Sequence, residues 1–326
     1  IHLPQPVRMV SLSATVSNAE EFGDWLQAVR GDTVVIVSEE RPVPLDQHVL
    51  VRGRLVDLFD SSGSIATNRV NPELVEMARQ SGRVLGHKAR QDVGRRHSRC
   101  GRPEEFRLDR VAIAQLLAER NLLPAISFIF SRAGCEGAVE QFRRADLRLT
   151  TAAEREEIRE IAEERSRTLL DEDLGVLGYW DWLAALERGV AAHHAGMLPA
   201  FKEVVEELFQ RKLLKMVFAT ETLALGINMP ARTVVLEKLE KFNGEARVPI
   251  TPGEYTQLTG RAGRRGIDVE GHSVIQWADG VNPEAIASLA SRRTYPLNSS
   301  FRPTYNMAVN LVDRFGRTRT REILES

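Results

Sequence analysis

Several features that define large classes of proteins are scarce or missing in this 326-residue sequence. Two cysteines, Cys100 and Cys135, are too few for a disulfide framework, and we expect a cytoplasmic, reducing environment. No apolar run approaches the ~20 residues of a membrane span, and no signal peptide opens the chain, so we expect no membrane association. Only six of the 44 basic residues are lysines, which we attribute to a GC-rich genome, and the net charge is −1. Any basic surface must therefore be local.

The sequence also lacks the glycine-rich loop that cradles the β- and γ-phosphates in many nucleotide-binding proteins, because no G-x-x-x-x-G-K-[ST] occurs in it. Metal-binding patterns are missing as well. The acidic run Asp171–Leu174 follows a charged helical pattern instead of a strand, and the run His97–Cys100 supplies only two zinc ligands. We therefore expect no metal ligands in this segment.

The spacing of apolar runs predicts an α/β fold. A hydrophobic content of 43% over this length allows a large core divided into two or more units, and Ile1 in place of Met suggests a start inside a longer protein. Short strand-like runs alternate with helical patterns, which is typical of a buried parallel sheet in a βαβ arrangement. The predicted strands lie at 7–13, 33–37, 125–130, 214–219, 232–237 and 272–277.

The segment 79–102 has the composition of a loop. It carries eight Arg or Lys residues against one acid, Asp92, together with four glycines. We interpret it as a solvated linker between units, and direct contact with nucleic acid is the alternative.

Three junctions in the second half of the chain share one design, in which polar residues follow a strand and precede a helix. They contain Ser131 and Arg132, then His193, His194 and Gly196, then Thr220 and Thr222. Ligands of open α/β sheets gather beyond the carboxyl ends of the strands, where helix starts favour phosphate. We expect the three junctions to hold successive phosphates of one nucleic-acid strand without reading its sequence. The alternatives are local: Thr220 as a helix cap, and the two histidines as a satisfied loop.

The stretch 257–266, QLTGRAGRRG, contains three arginines interspersed with three glycines at the end of a predicted helix. Glycine allows close approach of the backbone, and arginine offers a planar fork of donors that fits phosphate oxygens. The stretch predicts a site for a multiply charged phosphate ligand. A structural cluster of salt bridges is the alternative.

Five motifs follow one another along the chain. They are SLSATVSN (11–18), SFIFSRAGCE (127–136), HHAGMLP (193–199), VFATETLALGINMPARTVV (217–235) and YTQLTGRAGRRG (255–266). In this order they resemble the later motifs of superfamily-2 helicases, and their amino-acid sequences are similar to those of the Ski-like DExH-box RNA helicases. The resemblance covers nearly the whole chain.

The resemblance implies a RecA-like parallel sheet with flanking helices. Residues 1–38 would be the end of a first RecA-like domain, 39–108 a linker with the basic loop, 109–280 the second RecA-like domain, and 281–326 the start of a winged-helix domain. ATP with Mg²⁺ would bind between the two RecA-like domains. The phosphate loop and the metal ligands would lie in the part of the first domain that this chain lacks.

The resemblance also implies roles for individual residues. Arg261 and Arg264 would be catalytic residues that reach the γ-phosphate, and Gln257 would orient the attacking water or that phosphate. Gly226 and Asn228 would lie at the nucleotide. The residues that would couple ATP to strand movement are Ser13, Ala14 and Thr15, and those that would hold the strand are Ser131, Arg132, His194, Gly196, Thr220 and Thr222.

The implied function is that of an ATP-dependent 3′-to-5′ RNA helicase. It would translocate on single-stranded RNA and unwind RNA duplexes with a 3′ overhang, and RNA-decay proteins would be its partners. Two alternatives stay open. One is a DNA-unwinding repair helicase, because contacts to the RNA 2′-OH cannot be read from these motifs, and the other is a module that binds nucleic acid without turnover.

Overall fold

The computed structural model describes residues 7–13, 16, 18–38, 41–60, 69–80, 108–167, 171–224, 229–278, 282–291 and 304–325. The chain divides into two units, one made of Ile1–Val37 with Thr294–Ser326, the other of Ser38–Arg293. Among the described residues, no helix combines the length and the apolar character needed to cross a membrane.

A seven-stranded sheet organises the larger unit. Its strands in chain order are β1 (Leu45–Val51), β2 (Arg54–Asp57), β3 (Ala125–Phe128), β4 (Val190–His193), β5 (Met216–Ala219), β6 (Thr233–Leu236) and β9 (Gly271–Gln276), while β7 (Glu240–Phe242) and β8 (Arg247–Pro249) form a separate hairpin. The order across the sheet is β2-β1-β9-β6-β3-β5-β4. The β1–β2 pair is antiparallel and the other pairs of the sheet are parallel, which confirms the predicted fold class.

Four adjacent strands, β6, β3, β5 and β4, owe their position in the sheet to their composition. Every residue of β3, β4, β5 and β6 is buried, and most are small or branched apolar residues. Such runs suit strands that are covered on both faces, because neither side of the pleat meets water. Burial of a Val, Leu, Ile or Phe side chain contributes roughly 1.5–3 kcal/mol. The buried side chains of these four strands therefore contribute much of the stability of the larger unit.

Helices cover both faces of the sheet. The helices of the larger unit are α2 (72–80), α3 (Arg110–Glu119), α4 (Arg132–Arg144), α5 (Ala152–Ser166), α6 (Asp171–Val176), α7 (Tyr179–Glu187), α8 (Pro199–Gln210), α9 (Pro252–Thr259) and α10 (Pro283–Ser291). The smaller unit contains α1 (Ala19–Arg30) and α11 (Tyr305–Glu325). On one face, α3 and α4 contribute Leu117 and Phe142 to the core. On the other face, α8 and α9 contribute Val205 and Leu258.

Residues 45–57 lie in the sheet, although we predicted a linker over 39–108. β1 pairs in parallel with β9, and β2 extends the sheet through a two-residue turn at Arg52 and Gly53, both of which have positive φ. In β1 the polar run Asp46–His48 follows Leu45, so the strand lacks the continuous apolar pattern of β3, β5 and β6. The linker prediction is wrong for these residues. Residues 81–107 of the basic loop lie outside the described residues.

Two runs in the smaller unit differ from our prediction of strands. Residues 7–13 and 33–37 have no regular secondary structure, and Val10, Leu12 and Ile36 are 85, 93 and 87% exposed. A strand needs neighbours that accept its backbone hydrogen bonds and cover one face. No described strand pairs with either run, and the two strand predictions are wrong. The assignment of 1–38 to a first RecA-like domain stays a prediction.

The predicted winged-helix segment, 281–326, is shared between the two units. Ile286 and Ala287 of α10 are buried in the core of the larger unit, whereas α11 lies in the smaller one. A break at Gly316, with φ 73° and ψ 166°, interrupts α11. The winged-helix assignment itself stays a prediction.

Candidate functional site

The carboxyl ends of three adjacent strands lie at one edge of the sheet. Ala219, the last residue of β5, pairs with Phe128 and with His193, which end β3 and β4. The alignment continues beyond the strands. The Ile129 N–H donates to the Ala219 carbonyl at 2.8 Å, and the Thr220 N–H donates to the His193 carbonyl at 3.3 Å. The structure therefore brings the three predicted junctions together.

The first junction joins β3 to α4. Ser131 caps the helix, because its Oγ accepts a hydrogen bond from the Gly134 N–H at 3.2 Å. A Cβ atom at Gly134 would lie 2.6 Å from Ile129 Cγ2, so glycine allows the helix start to approach the strand end. Ser131 and Arg132 are exposed. A hydroxyl and a guanidinium are thus accessible at this edge.

The second junction contains His194, whose side chain is buried and has partners at both ring nitrogens. Its Nδ1 accepts from the Gly196 N–H at 3.2 Å, so Nε2 carries the proton and donates to Glu136 Oε1 at 2.8 Å. Gly196 is exposed, and a Cβ atom there would lie 3.4 Å from Arg132 Cδ. The geometry favours the alternative considered for this loop: His194 orders the backbone, and its ring does not offer a donor to a ligand in this conformation.

His193 binds the opposite layer of helices. Its Nε2 lies 2.9 Å from Glu206 Oε1 of α8, whereas Glu136, the partner of His194, belongs to α4. Burial lowers the pKa of His193 below its ordinary value, against the effect of Glu206. Its ring is therefore neutral at pH 7, and the two successive histidines fasten the end of β4 to both faces of the sheet.

The third junction follows β5. The hydroxyl oxygens of Thr220 and Thr222 lie 3.0 Å apart in a hydrogen bond, and Thr222 is exposed. We predicted the start of a helix near Thr222. The described residues form a single 3₁₀ turn, Glu221–Ala224, in which the Leu223 N–H donates to the Thr220 carbonyl.

Four predicted site residues lie outside the described part of the chain: Ala14, Thr15, Gly226 and Asn228. Ser13 is described and exposed, within the smaller unit. The coupling role of residues 13–15 and the nucleotide contacts of Gly226 and Asn228 stay predictions.

Helix α9 presents Gln257 and leads into the arginine-rich stretch. Thr251 and Glu254 form a capping box at its start, with the Thr251 N–H donating to Glu254 Oε2 at 2.8 Å and the Glu254 N–H donating to Thr251 Oγ1 at 3.3 Å. Gln257 is exposed, one helical turn before Arg261. Burial lowers the pKa of Arg261, although arginine stays protonated in proteins. Its positive charge is therefore partly withdrawn from water.

Arg264 is held by a buried carboxylate. Its Nε and Nη2 donate to Asp268 Oδ2 and Oδ1 at 2.7 and 2.6 Å, and its backbone N–H donates to Oδ2 at 2.8 Å. The side chains of Arg264 and Asp268 are 12 and 3% exposed. Burial works to raise the pKa of Asp268, but the hydrogen bonds from Arg264 hold it below its ordinary value. The structure thus contains the salt bridge that we considered as the alternative for this stretch, whereas the neighbouring Arg265 is exposed.

A groove beside Ser131 was missed by sequence reasoning. It has a volume of about 560 Å³ and lies between the ends of β3 and β6 and the β7–β8 hairpin. Its basic lining residues include Lys238, Lys241 and Arg247, and in its wall Arg110 donates to Glu237 at 2.6 and 3.0 Å. The Asn-Gly pair between the runs EKF and RVP was the available signal for the hairpin.

Lys241 connects this hairpin to two other parts of the site. Its Nζ lies 2.7 Å from Glu221 Oε2 and 2.5 Å from Glu254 Oε1. Hydrogen bonds from Glu221 and Glu254 raise the pKa of Lys241. One ammonium group therefore links the β5 junction to the start of the helix that carries Gln257.

Comparison with known proteins defines the class of this domain. Residues 165–266 match the family model of the helicase conserved C-terminal domain. The matched residues contain β4, β5, β6 and the whole arginine-rich stretch, 257–266. Residues 165–266 of the larger unit thus match a helicase C-terminal domain, and the predicted similarity to helicases is confirmed.

The similarity to individual helicases extends over nearly the whole chain. The chain is 57% identical to the probable helicase HelY of Mycobacterium leprae, over 100% of its own length and 36% of the relative. It is 35% identical to the chloroplastic DExH-box ATP-dependent RNA helicase DExH15 of Arabidopsis thaliana, over 96% of this chain and 28% of the relative. It is 36% identical to the human exosome RNA helicase MTR4, over 96% of this chain and 29% of the relative. The chain thus spans about a third of the length of these relatives.

Proposed function

We propose that this chain is part of an ATP-dependent RNA helicase that translocates 3′ to 5′ on single-stranded RNA and unwinds duplexes with a 3′ overhang. The Arabidopsis and human relatives are both named RNA helicases, which supports RNA over DNA as the substrate. A cytoplasmic location and RNA-decay partners belong to the same proposal and stay predictions.

The common edge formed by β3, β4 and β5 carries this proposal. Its accessible groups are the Ser131 hydroxyl, the Arg132 guanidinium and the Thr222 hydroxyl, which follow adjacent strands. Such groups, together with the amino-terminal ends of α4 and α8, suit phosphate oxygens. Contacts of this kind position a strand without reading its bases, as translocation requires. In the proposal, His194 supports this edge from inside and keeps the Gly196 backbone in place.

The proposed ATP contacts lie at the end of α9. Gln257 would orient the attacking water or the γ-phosphate, and Arg261 would stabilise the charge that develops on the transferred phosphoryl group. The residues present fit this role in part. Arg261 carries a charge that is partly withdrawn from water, whereas the ion pair with Asp268 occupies two of the five N–H donors of Arg264. In the proposal, the phosphate cradle and the Mg²⁺ ligands come from outside this chain.

Strand separation by the intact protein tests the proposal. The assay uses short duplexes of RNA and of DNA with matched sequences, each with a 3′ or a 5′ overhang, in the presence of ATP or of a non-hydrolysable analogue. We expect ATP-dependent unwinding of RNA with a 3′ overhang. Unwinding confined to DNA or to 5′ overhangs would contradict the substrate or the direction. Binding of RNA without ATP hydrolysis would identify a binding module instead of an enzyme.

A further inference from the structure

Asp46, His48 and His272 lie together near the amino-terminal ends of two strands. Asp46 of β1 is paired with His272 of β9, and His48 follows two residues later on the same side of β1. One ligand atom from each of the three residues lies within 4.8 Å of the other two. The sheet itself builds this cluster, at the edge opposite to the one that carries the three junctions.

The proton on His48 can be assigned from its partner. His48 Nδ1 lies 2.9 Å from Asp57 Oδ1, and a carboxylate only accepts hydrogen bonds, so Nδ1 carries the proton. In the neutral ring, the lone pair of Nε2 then faces His272 Nδ1 at 3.2 Å. His48 is thus presented as a donor of an electron pair toward His272.

Neither neutral form of His272 satisfies this arrangement. If its proton is on Nδ1, then Nε2 is a buried lone pair without a hydrogen-bond partner, with Glu270 Oε1 at 3.7 Å. If the proton is on Nε2, toward Glu270, then two lone pairs face each other at 3.2 Å. The His272 side chain is only 7% exposed, so water does not readily relieve either conflict. A cation shared between the two rings removes it.

We propose that Asp46, His48 and His272 bind one divalent transition-metal ion, with Zn²⁺ as the ion that fits best. Two imidazole nitrogens at 2.0–2.1 Å from a tetrahedral zinc ion lie roughly 3.4 Å apart, close to the 3.2 Å between His48 Nε2 and His272 Nδ1. Two histidines and one carboxylate, with water at the remaining position, form a ligand set that zinc accepts. Imidazole ligands also favour Zn²⁺ over Mg²⁺.

The surroundings of the cluster match those of metal-bound histidines. Asp57 fixes the orientation of the His48 ring through Nδ1, and Glu270 lies near Nε2 of His272, where outer carboxylates stabilise a bound imidazole.

A metal ion at this position would brace β1 against β9. Residues 264–270, which include Arg264 and Asp268, lead directly into β9, where His272 is the second residue. The bound ion would therefore fix the strand that follows the arginine-rich stretch. This inference rests on the sheet geometry and not on the proposed helicase activity.

Metal binding to the intact protein tests the site. The protein is stripped with a chelator and titrated with Zn²⁺ in the presence of a chromogenic competitor, and the visible spectrum is recorded after titration with Co²⁺. We expect one equivalent of Zn²⁺ that excess Mg²⁺ does not displace, and a Co²⁺ spectrum typical of nitrogen and oxygen ligands. Asp57→Asn should weaken binding about 10–100-fold, and His48→Gln should weaken it at least as much.

Two further variants make the test decisive. Asp46→Asn changes an exposed ligand and should lower affinity without unfolding the protein, which circular dichroism checks. His193→Gln alters a different buried histidine with a carboxylate partner and should bind Zn²⁺ as the unaltered protein does. Equal Zn²⁺ affinity and equal Co²⁺ spectra for the unaltered protein, His48→Gln and Asp46→Asn would overturn the proposal, as would a failure of the unaltered protein to take up zinc.

Discussion

The ion pair between Arg264 and Asp268 changes what a substitution in the arginine-rich stretch can be expected to do. Both side chains are largely buried, and Asp268 accepts three hydrogen bonds from the side chain and backbone of Arg264. Removal of one partner of a buried pair leaves an uncompensated charge, at a cost of about 3–5 kcal/mol. Loss of activity in such a variant therefore has two possible origins, catalysis and stability.

We predict that Arg264→Ala in the intact enzyme abolishes most ATP turnover while RNA binding stays nearly unchanged. If Arg264 stabilises charge on the transferred phosphoryl group, its loss lowers kcat on the order of 10³–10⁵-fold. Arg264→Lys should restore little, because an ammonium does not reproduce the planar fork. Arg265→Ala, at an exposed position, should be much milder. Steady-state ATPase assays with saturating RNA, beside equilibrium RNA binding, measure these effects.

The double variant Arg264→Ala with Asp268→Ala separates the two origins. It removes the buried carboxylate together with the arginine, so thermal stability should recover in part while kcat stays low. Recovery of kcat along with stability would assign Arg264 a structural role only. A costlier loss at Arg265 would show that the catalytic arginine was placed wrongly.

At the scale of elements, the first helix start at the proposed RNA edge has a close counterpart elsewhere in the unit. Ser131 caps α4 and Thr151 caps α5, each accepting from a backbone N–H three residues ahead, Gly134 or Glu154. Both caps are exposed, so each contributes about 1 kcal/mol to stability. They differ in position, because Ser131 follows the carboxyl end of β3 and Thr151 does not follow a strand end.

We predict that Ser131→Ala weakens binding of single-stranded RNA and that Thr151→Ala does not, although both variants lose similar stability. The effect of Ser131→Ala should be equal on poly-U and on RNA of mixed sequence, because the contact is to phosphate and not to bases. Fluorescence anisotropy titrations and thermal unfolding of both variants provide the comparison. Equal loss of binding in the two variants, or a loss confined to one RNA sequence, would count against the proposed edge.

At the scale of the whole molecule, the 326-residue chain by itself should not hydrolyse ATP. Its sequence holds no phosphate loop, and the described arginines supply one side of the proposed site. Phosphate release by the purified chain, measured with and without RNA, should equal the background of a sample that lacks protein. Steady RNA-stimulated release would show that the chain holds a complete site and would refute the split arrangement.

The sequence by itself determined the fold class, four inner strands and the three polar junctions. The predicted runs at 125–130, 214–219, 232–237 and 272–277 became β3, β5, β6 and β9, because apolar runs of this length between helices have few stable positions other than a buried sheet. The helicase motifs could also be identified from the sequence, because each motif is a contiguous stretch and their order along the chain does not depend on the fold.

Only the tertiary structure decided which side chains meet across long separations. β1 was missed because its own residue pattern does not indicate a strand. Its place in the sheet comes from its parallel pairing with β9, which lies more than 200 residues later in the chain. Likewise, the role of His194 depends on Glu136, 58 residues away, and the contact between His48 and His272 spans 224 residues. A local sequence pattern indicates the type of secondary structure and which of its side chains are buried. Contacts between residues that are far apart in the sequence arise only when the whole sheet has formed.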